Sequence, residues 1–218
     1  MKNLIFIATL LIFMLNTSDN VISAEAQDEK ADPVLDWEGN ELTTGNRYYV
    51  LSVFRPGGGV TIYPRANKKC TNRVAQLVFG NGLPVTFAYG GTDPENVVRE
   101  STDLTISFPF GTFLFPTEWK VDEYDADAEQ YFVTAGESDS NGTSINSWFQ
   151  IRKESGDLGY RFFSCPKVCE SCAKICTKVG IYLDEDGVRH FALNGNFRSS
   201  TFTFRKFEES TNSNLLEA

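Results

Sequence analysis

The sequence has a single histidine, His190, two methionines, and no apolar run approaching the ~20 residues of a membrane-spanning helix. Any nucleophile–histidine site would have to use His190, which lies on a predicted strand where we expect a structural or solvated role. P-loop and Rossmann glycine patterns are absent, and nothing singles out a catalytic pair among the 29 acidic residues. These absences argue against an enzyme, and we expect neither a cofactor nor a metal ion.

Basic residues are also scarce, because 20 lysines and arginines face 29 acidic residues and give a formal net charge of −9. Nucleic acids and anionic membranes bind to basic surfaces, so the charge argues against both as partners. The acidic residues are spread through polar turns, which indicates solubility. The length suits one domain, and we expect a monomer.

The N-terminus has the pattern of a secretory signal. Lys2 precedes a mostly apolar run from Leu4 to Leu15, and Ala24-Glu25-Ala26 matches a signal peptidase site. We predict a signal peptide over residues 1–26 and a polar leader over 27–33. The protein is then expected to be secreted or delivered to a vacuole, with no membrane segment after cleavage.

Four of the five cysteines lie in FFSCPKVCESCAKICTKVG, at C-x3-C-x2-C-x3-C spacing. In an oxidising compartment such clusters are usually disulfide-bonded. Cys169 and Cys172 could close a small inner loop, with Cys165 and Cys176 bridging around it. A zinc site is the alternative, although two separated C-x2-C steps would be expected for it. Cys70 is left over as a free or intermolecular thiol.

The remaining sequence alternates between short apolar segments and turns. Aromatic and β-branched segments are separated by turns rich in glycine, asparagine and aspartate, such as RPGGG, FGNG and LNGN. The pattern predicts an all-β sandwich or barrel of about a dozen short strands. The predicted strands are RYYVLSVF, GVTIY, AQLVF, VTFAY, LTISF, QYFVTAG, SWFQIRK, GYRFFS, VGIYL, RHFAL and TFTFRKF.

Two weaker signals accompany the strands. A polar turn precedes an aromatic-led strand in three segments, which suggests a pseudo-threefold barrel. The segments are DWEGNELTTGNRYYVL, DEYDADAEQYFVTAG and ESGDLGYRFFSCP. Asn141-Gly142-Thr143 is a glycosylation sequon in a polar turn. The tail over residues 209–218 is expected to be flexible.

The segment VLDWEGNEL, from Val34 to Leu42, followed by Tyr48-Tyr49-Val50, resembles the signature of the soybean Kunitz-type inhibitor family. YDADAEQYFVTAG, SINSWFQI and the cysteine cluster are similar to miraculin-like members of that family. The resemblance implies a β-trefoil of twelve strands in three repeats over residues 34–208. It also implies nested disulfides in the cluster.

The resemblance further implies an inhibitory loop between Tyr89 and Arg99. Inhibitory members insert such a loop into a protease cleft, and a trypsin pocket requires arginine or lysine to pair its buried carboxylate. Here Arg99 is the nearest cation, and it is expected to be a solvated residue of the following strand. The predicted contact residues are not basic: Asp93, Pro94, Glu95, Asn96 and Val97.

Two positions depart from the family pattern. Thr44 stands where inhibitory members have an asparagine that supports the loop, and its side chain is shorter. The cysteine expected to pair with Cys70, near Thr112–Phe115, is absent. A lost bridge of that loop size costs about 2–4 kcal/mol.

The resemblance therefore predicts an endopeptidase inhibitor, with a serine protease as the first expectation. A papain-like cysteine protease is the alternative target, because its cleft does not demand a basic residue. A third alternative is a non-inhibitory β-trefoil that serves in binding, storage or defence.

Overall fold

The computed structural model describes residues 30–64, 72–89, 96–109, 117–136, 144–156, 158–165, 176–193 and 200–209. These residues form an all-β structure, and the only helix among them is a single 3-10 turn at Ile145–Ser147. No helix in this part of the chain is long and apolar enough to cross a membrane. The strands are β1 Arg47–Ser52, β2 Val60–Tyr63, β3 Asn72–Gln76, β4 Pro84–Tyr89, β5 Leu104–Phe108, β6 Thr117–Asp125, β7 Gln130–Gly136, β8 Phe149–Arg152, β9 Arg161–Ser164, β10 Thr177–Leu183, β11 Arg189–Leu193 and β12 Phe202–Lys206.

Six strands form a closed antiparallel ring in the order β1, β4, β5, β8, β9, β12. Tyr160, just before β9, completes the ring by exchanging two backbone hydrogen bonds with Phe202 of β12, at 2.7 and 2.8 Å. Closing the ring leaves these strands without a free edge, which protects the fold from edge-to-edge association.

The other six strands form three hairpins, β2–β3, β6–β7 and β10–β11. Their inner strands pair with one another in all three combinations, β3 with β7, β7 with β11 and β11 with β3. Along the chain, one hairpin lies between β1 and β4, one between β5 and β8, and one between β9 and β12. The same pairing scheme therefore occurs three times.

The core is dominated by aromatic side chains. Trp119 of β6 is fully buried, and four phenylalanine rings lie with centroids 5.6–6.2 Å from its own, mostly edge to face. Such edge-on packing adds about 0.5–1.5 kcal/mol per pair beyond burial. The four rings come from four different strands: Phe108, Phe149, Phe162 and Phe191.

The all-β prediction and the expected number of strands are confirmed. Two details were wrong. The AQLVF segment ends its strand at Gln76, and Phe79 is 78 % exposed. β6 was missed because its outward residues are charged, and such residues are uncommon in strands, although Trp119 and Val121 alternate inward.

The three sequence segments with a polar turn before an aromatic-led strand do not occupy equivalent positions in the strand-pairing scheme. Two of the segments precede β1 and β9, which begin corresponding groups of four strands, but the third precedes β7, a hairpin strand. A polar turn before an aromatic-led strand is a general feature of hairpins, so it occurs at positions that are not equivalent.

Candidate functional site

The predicted inhibitory loop is described at both ends. β4 ends at Tyr89, and the chain is described again from Asn96. Asp93, Pro94 and Glu95 lie outside the described residues. Asn96 is exposed and has a positive φ of 55°, a conformation that asparagine adopts more readily than most residues. Val97 is 7 % exposed, so the chain enters the core directly after Asn96.

Backbone hydrogen bonds fix the C-terminal end of the loop. The N–H of Val98 donates to Leu42, and the carbonyl of Val98 accepts from Val34, at 2.7 and 2.8 Å. The N–H of Glu100 donates to Asp32 at 2.8 Å. The segment therefore lies between two stretches of the N-terminal part of the chain.

The hydroxyl of Tyr89 joins the two ends of the loop. It donates to the carbonyl of Val97 and accepts from the N–H of Arg99, each at 2.5 Å. The side chain of Tyr89, at the end of β4, thus holds the segment from Val97 to Arg99 that follows the loop. Sequence reasoning identified Tyr89 only as the boundary of the loop, because a tyrosine ending a strand gives no signal of such a bond.

Two other tyrosine hydroxyls hold the irregular N-terminal segment in the same way. Tyr48 accepts from the N–H of Thr43, and Tyr160 accepts from the N–H of Leu35, both at 3.0 Å. Burial raises the pKa of Tyr160 above its ordinary value, so this hydroxyl stays neutral. These contacts position the segment against which the loop end is hydrogen-bonded.

Thr44 lies directly beside the end of the loop. Its N–H donates to the carbonyl of Asn96 at 2.8 Å, and its hydroxyl lies 3.5 Å from the Asn96 side-chain oxygen. Thr43 forms the neighbouring bridge, to Val97. Thr44 therefore contacts the residue at which the loop rejoins the fold.

Residues 34–206 match the family model described as trypsin and protease inhibitor, Kunitz type of legumes. The chain belongs to the Kunitz protease inhibitor family. The family is described as one of protease inhibitors, not of enzymes.

Individual relatives agree with this assignment. Miraculin of Synsepalum dulcificum is 38 % identical over 194 residues, covering 83 % of this chain and 86 % of its own. Kunitz trypsin inhibitor 5 of Arabidopsis thaliana is 35 % identical over 199 residues, covering 88 % and 93 %. The solved Kunitz-type cysteine protease inhibitor of potato superposes with a TM-score of 0.68 at 29 % identity, over 82 % of this chain and 99 % of its own.

Arg99 does not lie in a strand, contrary to the prediction. It forms an isolated bridge to Pro33 and is half-buried. Its guanidinium donates to the carbonyl of Ala31 at 3.0 Å. Because this contact ties the side chain to the N-terminal segment, Arg99 is poorly placed to extend into the pocket of a protease.

The structure joins Cys165 and Cys176 in a disulfide, with Cα atoms 4.3 Å apart. This is the pair expected to form the outer bridge of the cluster. The guanidinium of Arg152 lies 3.1 Å from the sulfur of Cys165. The remaining predicted site residues lie outside the described part of the chain: Cys169, Cys172, Cys70 and Asn141.

His190 is a structural residue of β11, with 2 % exposure. Its Nε2 lies 2.8 Å from the Oδ2 of Asp184, and the rings of Tyr63 and Phe132 meet its ring nearly at right angles. Among the described residues no cluster of three or more histidine, cysteine or acidic side chains could hold a metal ion. The histidine thus belongs to the packing of the hairpins.

Proposed function

We propose that this protein inhibits a serine endopeptidase by inserting the segment between Tyr89 and Arg99 into the protease cleft. The observation that carries the proposal is the anchoring of both loop ends by Tyr89, with Thr44 at the C-terminal end. A loop whose ends are fixed before binding loses less conformational entropy when it enters a cleft. The family assignment supports the same activity.

The contact residues favour a target other than trypsin. Asp93 and Glu95 are acidic, and a carboxylate brought against the buried carboxylate of a trypsin pocket would be strongly disfavoured. Proteases with apolar or shallow pockets do not impose this penalty. We therefore expect inhibition of a chymotrypsin-like or subtilisin-like enzyme.

A papain-like cysteine protease is the second candidate. The potato relative with the same fold is a cysteine protease inhibitor by its name. The absence of a basic contact residue counts less against such a target, because a papain-like cleft does not require one. This inhibition would use surfaces other than the loop between Tyr89 and Arg99.

The finer structural and cellular predictions complete the proposal. The threefold pairing of strands supports a β-trefoil. The N-terminal pattern supports secretion after cleavage of residues 1–26, with extracellular or vacuolar delivery as a monomer. We further propose a glycan on Asn141, an inner disulfide between Cys169 and Cys172, and a free thiol at Cys70.

The decisive experiment titrates trypsin, chymotrypsin, subtilisin and papain with the purified, oxidised protein and measures residual activity. We expect stoichiometric inhibition of chymotrypsin or subtilisin, which is lost when residues 93–96 are replaced by Gly-Ser-Gly-Ser. Inhibition of papain alone would transfer the function to the second candidate. Inactivity against all four enzymes, or inhibition that survives the replacement, would contradict the loop mechanism.

A milder variant tests the anchoring itself. Tyr89→Phe removes the hydroxyl that holds Val97 and Arg99, and should weaken inhibition roughly fivefold to tenfold by loosening the loop. Tyr131→Phe removes an exposed hydroxyl elsewhere and should leave inhibition unchanged. Equal inhibition by the two variants would show that the Tyr89 contacts do not preorganise the loop.

A further inference from the structure

A cleft of about 960 Å³ lies on the outer surface of the strand ring, where the first and last strands pair. Its size is in the range of small-molecule sites. Side chains of β1 and β12 contribute to it, with Leu51 opposite Thr203 and Arg205 two residues further along β12. Of the proposed inhibitory loop, the residues that the structure describes, Tyr89 and 96–99, do not line it.

Close backbone contacts build the walls of this cleft. The N–H of Trp37 donates to Phe204 at 2.9 Å and holds the first wall against β12. A second wall contains Gly58, whose N–H donates to Leu77 at 2.8 Å. A third wall contains Gly159. A Cβ at this position would lie 2.4 Å from the carbonyl oxygen of Phe202, so only glycine allows the two backbones to lie this close.

Large apolar side chains remain exposed around the cleft although the core is well filled. Trp37 is 55 % exposed, Phe79 is 78 % exposed and Leu158 is 80 % exposed. Single exposed apolar residues are common, but several that line one concave surface are typical of a binding site. They offer stacking surfaces to a flat apolar group.

The charges of the cleft oppose those of the whole chain. Arg55, Lys153 and Arg205 line it, and among the described residues none of them forms an ion pair. Its two carboxylates are those of Glu38 and Asp36, and the latter accepts hydrogen bonds from the backbone of its own turn. A chain of net charge −9 thus gathers three unpaired cations around one cleft.

Arg205 connects the aromatic and cationic features. Its guanidinium lies 5.2 Å from the ring centroid of Trp37 and 5.1 Å from that of Tyr49. Stacking on the rings uses the faces of the planar guanidinium and leaves its N–H edge available to an anion. A negatively charged group bound there would be adjacent to the exposed indole.

We infer that this cleft binds a small aromatic anion, with the aromatic body against Trp37 and Phe79 and the acidic group at Arg205, Arg55 and Lys153. This would be a second binding site, independent of protease inhibition. The assignment follows from complementarity, because the exposed rings favour a flat apolar body and the unpaired cations favour a carboxylate or sulfonate.

Tryptophan fluorescence offers a direct test, because Trp119 and Trp148 are buried and Trp37 is the exposed tryptophan. The purified protein is titrated with 1-naphthoate and with neutral 1-naphthamide, which has the same aromatic body, and calorimetry measures both affinities. We expect 1-naphthoate to change the emission of Trp37 and to bind at least about tenfold more tightly than the amide.

Variants locate the site. Arg55→Gln and Lys153→Gln should each weaken 1-naphthoate binding about threefold to tenfold while leaving 1-naphthamide unaffected. Lys120→Gln, on a partly exposed strand position outside the cleft, is the matched control. Trp37→Ala should weaken both ligands.

Three results would overturn the inference. Equal affinity for the anion and the amide would show that the cations do not contribute to binding. Binding that is unchanged by Trp37→Ala would show that the ligand binds elsewhere. Absence of binding at millimolar 1-naphthoate would show that the cleft is not a site for this class of ligand. Protease inhibition by Arg55→Gln should match that of the unmodified protein, so the two proposals fail independently.

Discussion

Two tryptophans illustrate how this chain uses aromatic side chains in two different ways. Trp119 is fully buried and touches four phenylalanine rings from the ring strands and hairpins. Trp37 is 55 % exposed and has a guanidinium on its ring. The first maximises contact within the protein, whereas the second leaves a stacking surface open to a ligand.

The difference shows that residue type does not decide the role of an aromatic side chain here. Strand alternation places Trp119 inside, because β6 pairs with β7 and turns Trp119 and Val121 toward the core. Trp37 lies in a turn beside β12, and its ring stays 55 % exposed although the Arg205 guanidinium lies over it. The following predictions test this contrast between an interior that stabilises and a cleft that binds.

The largest effect is expected for Trp119→Ala. Removing this ring opens a cavity among four phenylalanines, and large-to-small changes at such sites cost about 3–5 kcal/mol. Denaturant unfolding followed by circular dichroism measures the loss. A change below about 1 kcal/mol would show that the aromatic cluster collapses around the cavity or contributes little.

Gly59→Ala should have an intermediate effect and acts through the backbone next to the cleft. A Cβ at Gly59 would lie 1.8 Å from the carbonyl oxygen of Asn81, so the two segments must move apart. Overpacking of this kind costs about 1–3 kcal/mol. Gly136→Ala is the matched control, since the nearest described atom to a Cβ added there is a Lys120 side-chain carbon at 3.9 Å. Equal stability of the two variants would contradict the close approach.

The hydrogen-bonded pair Asp184 and His190 should have a smaller effect on stability, and this effect should depend on pH. Burial raises the pKa of Asp184, but hydrogen bonds from His190 and the Val188 and Asp186 N–H groups outweigh it and hold the pKa below 3.8. The carboxylate therefore stabilises the fold above about pH 4, and this stabilisation is lost as the pH falls through the lowered pKa.

Asp184→Asn tests the direction of this pH dependence of stability. The variant should be less stable than the unmodified protein at neutral pH, and the difference should shrink as the pH falls below 4. Thermal unfolding at several pH values measures it, with the exposed Asp186→Asn as control. A pH-independent difference would assign the effect to packing around His190.

The smallest effect on stability is expected for Trp37→Ala. The ring is more than half exposed and packs on Arg205, so its loss should change the free energy of unfolding by about 0.5 kcal/mol or less. Denaturant unfolding of this variant beside Trp119→Ala sharpens the comparison directly. A loss near that of Trp119→Ala would mean that Trp37 is part of the core.

The sequence predicted the parts of the fold that depend on local pattern. Segments such as LTISF alternate cleanly and became strands with alternating burial, as in β5. β6 was missed because Glu118, Lys120 and Asp122 disfavour a strand locally, and pairing with β7 outweighs that preference. Tertiary contacts override propensity most easily where a strand has one charged face.

The candidate site was predicted less completely. Family resemblance located the segment between Tyr89 and Arg99 and drew attention to Thr44, which lies against Asn96. It gave no sign of the bonds from the Tyr89 hydroxyl and placed Arg99 in a strand. Both errors concern contacts between residues eight or more positions apart, which a local pattern does not encode.

By itself, the sequence determined the all-β class, the turns between strands and the membership of an inhibitor family, because each depends on short patterns of residue type. Only the tertiary structure decided which aromatic rings meet around Trp119, that Tyr89 ties both ends of the loop, and that cations distant in sequence line one cleft with Trp37. The physical reason is that strand pairing fixes the register of segments far apart in sequence. Register, not composition, brings these side chains within contact distance.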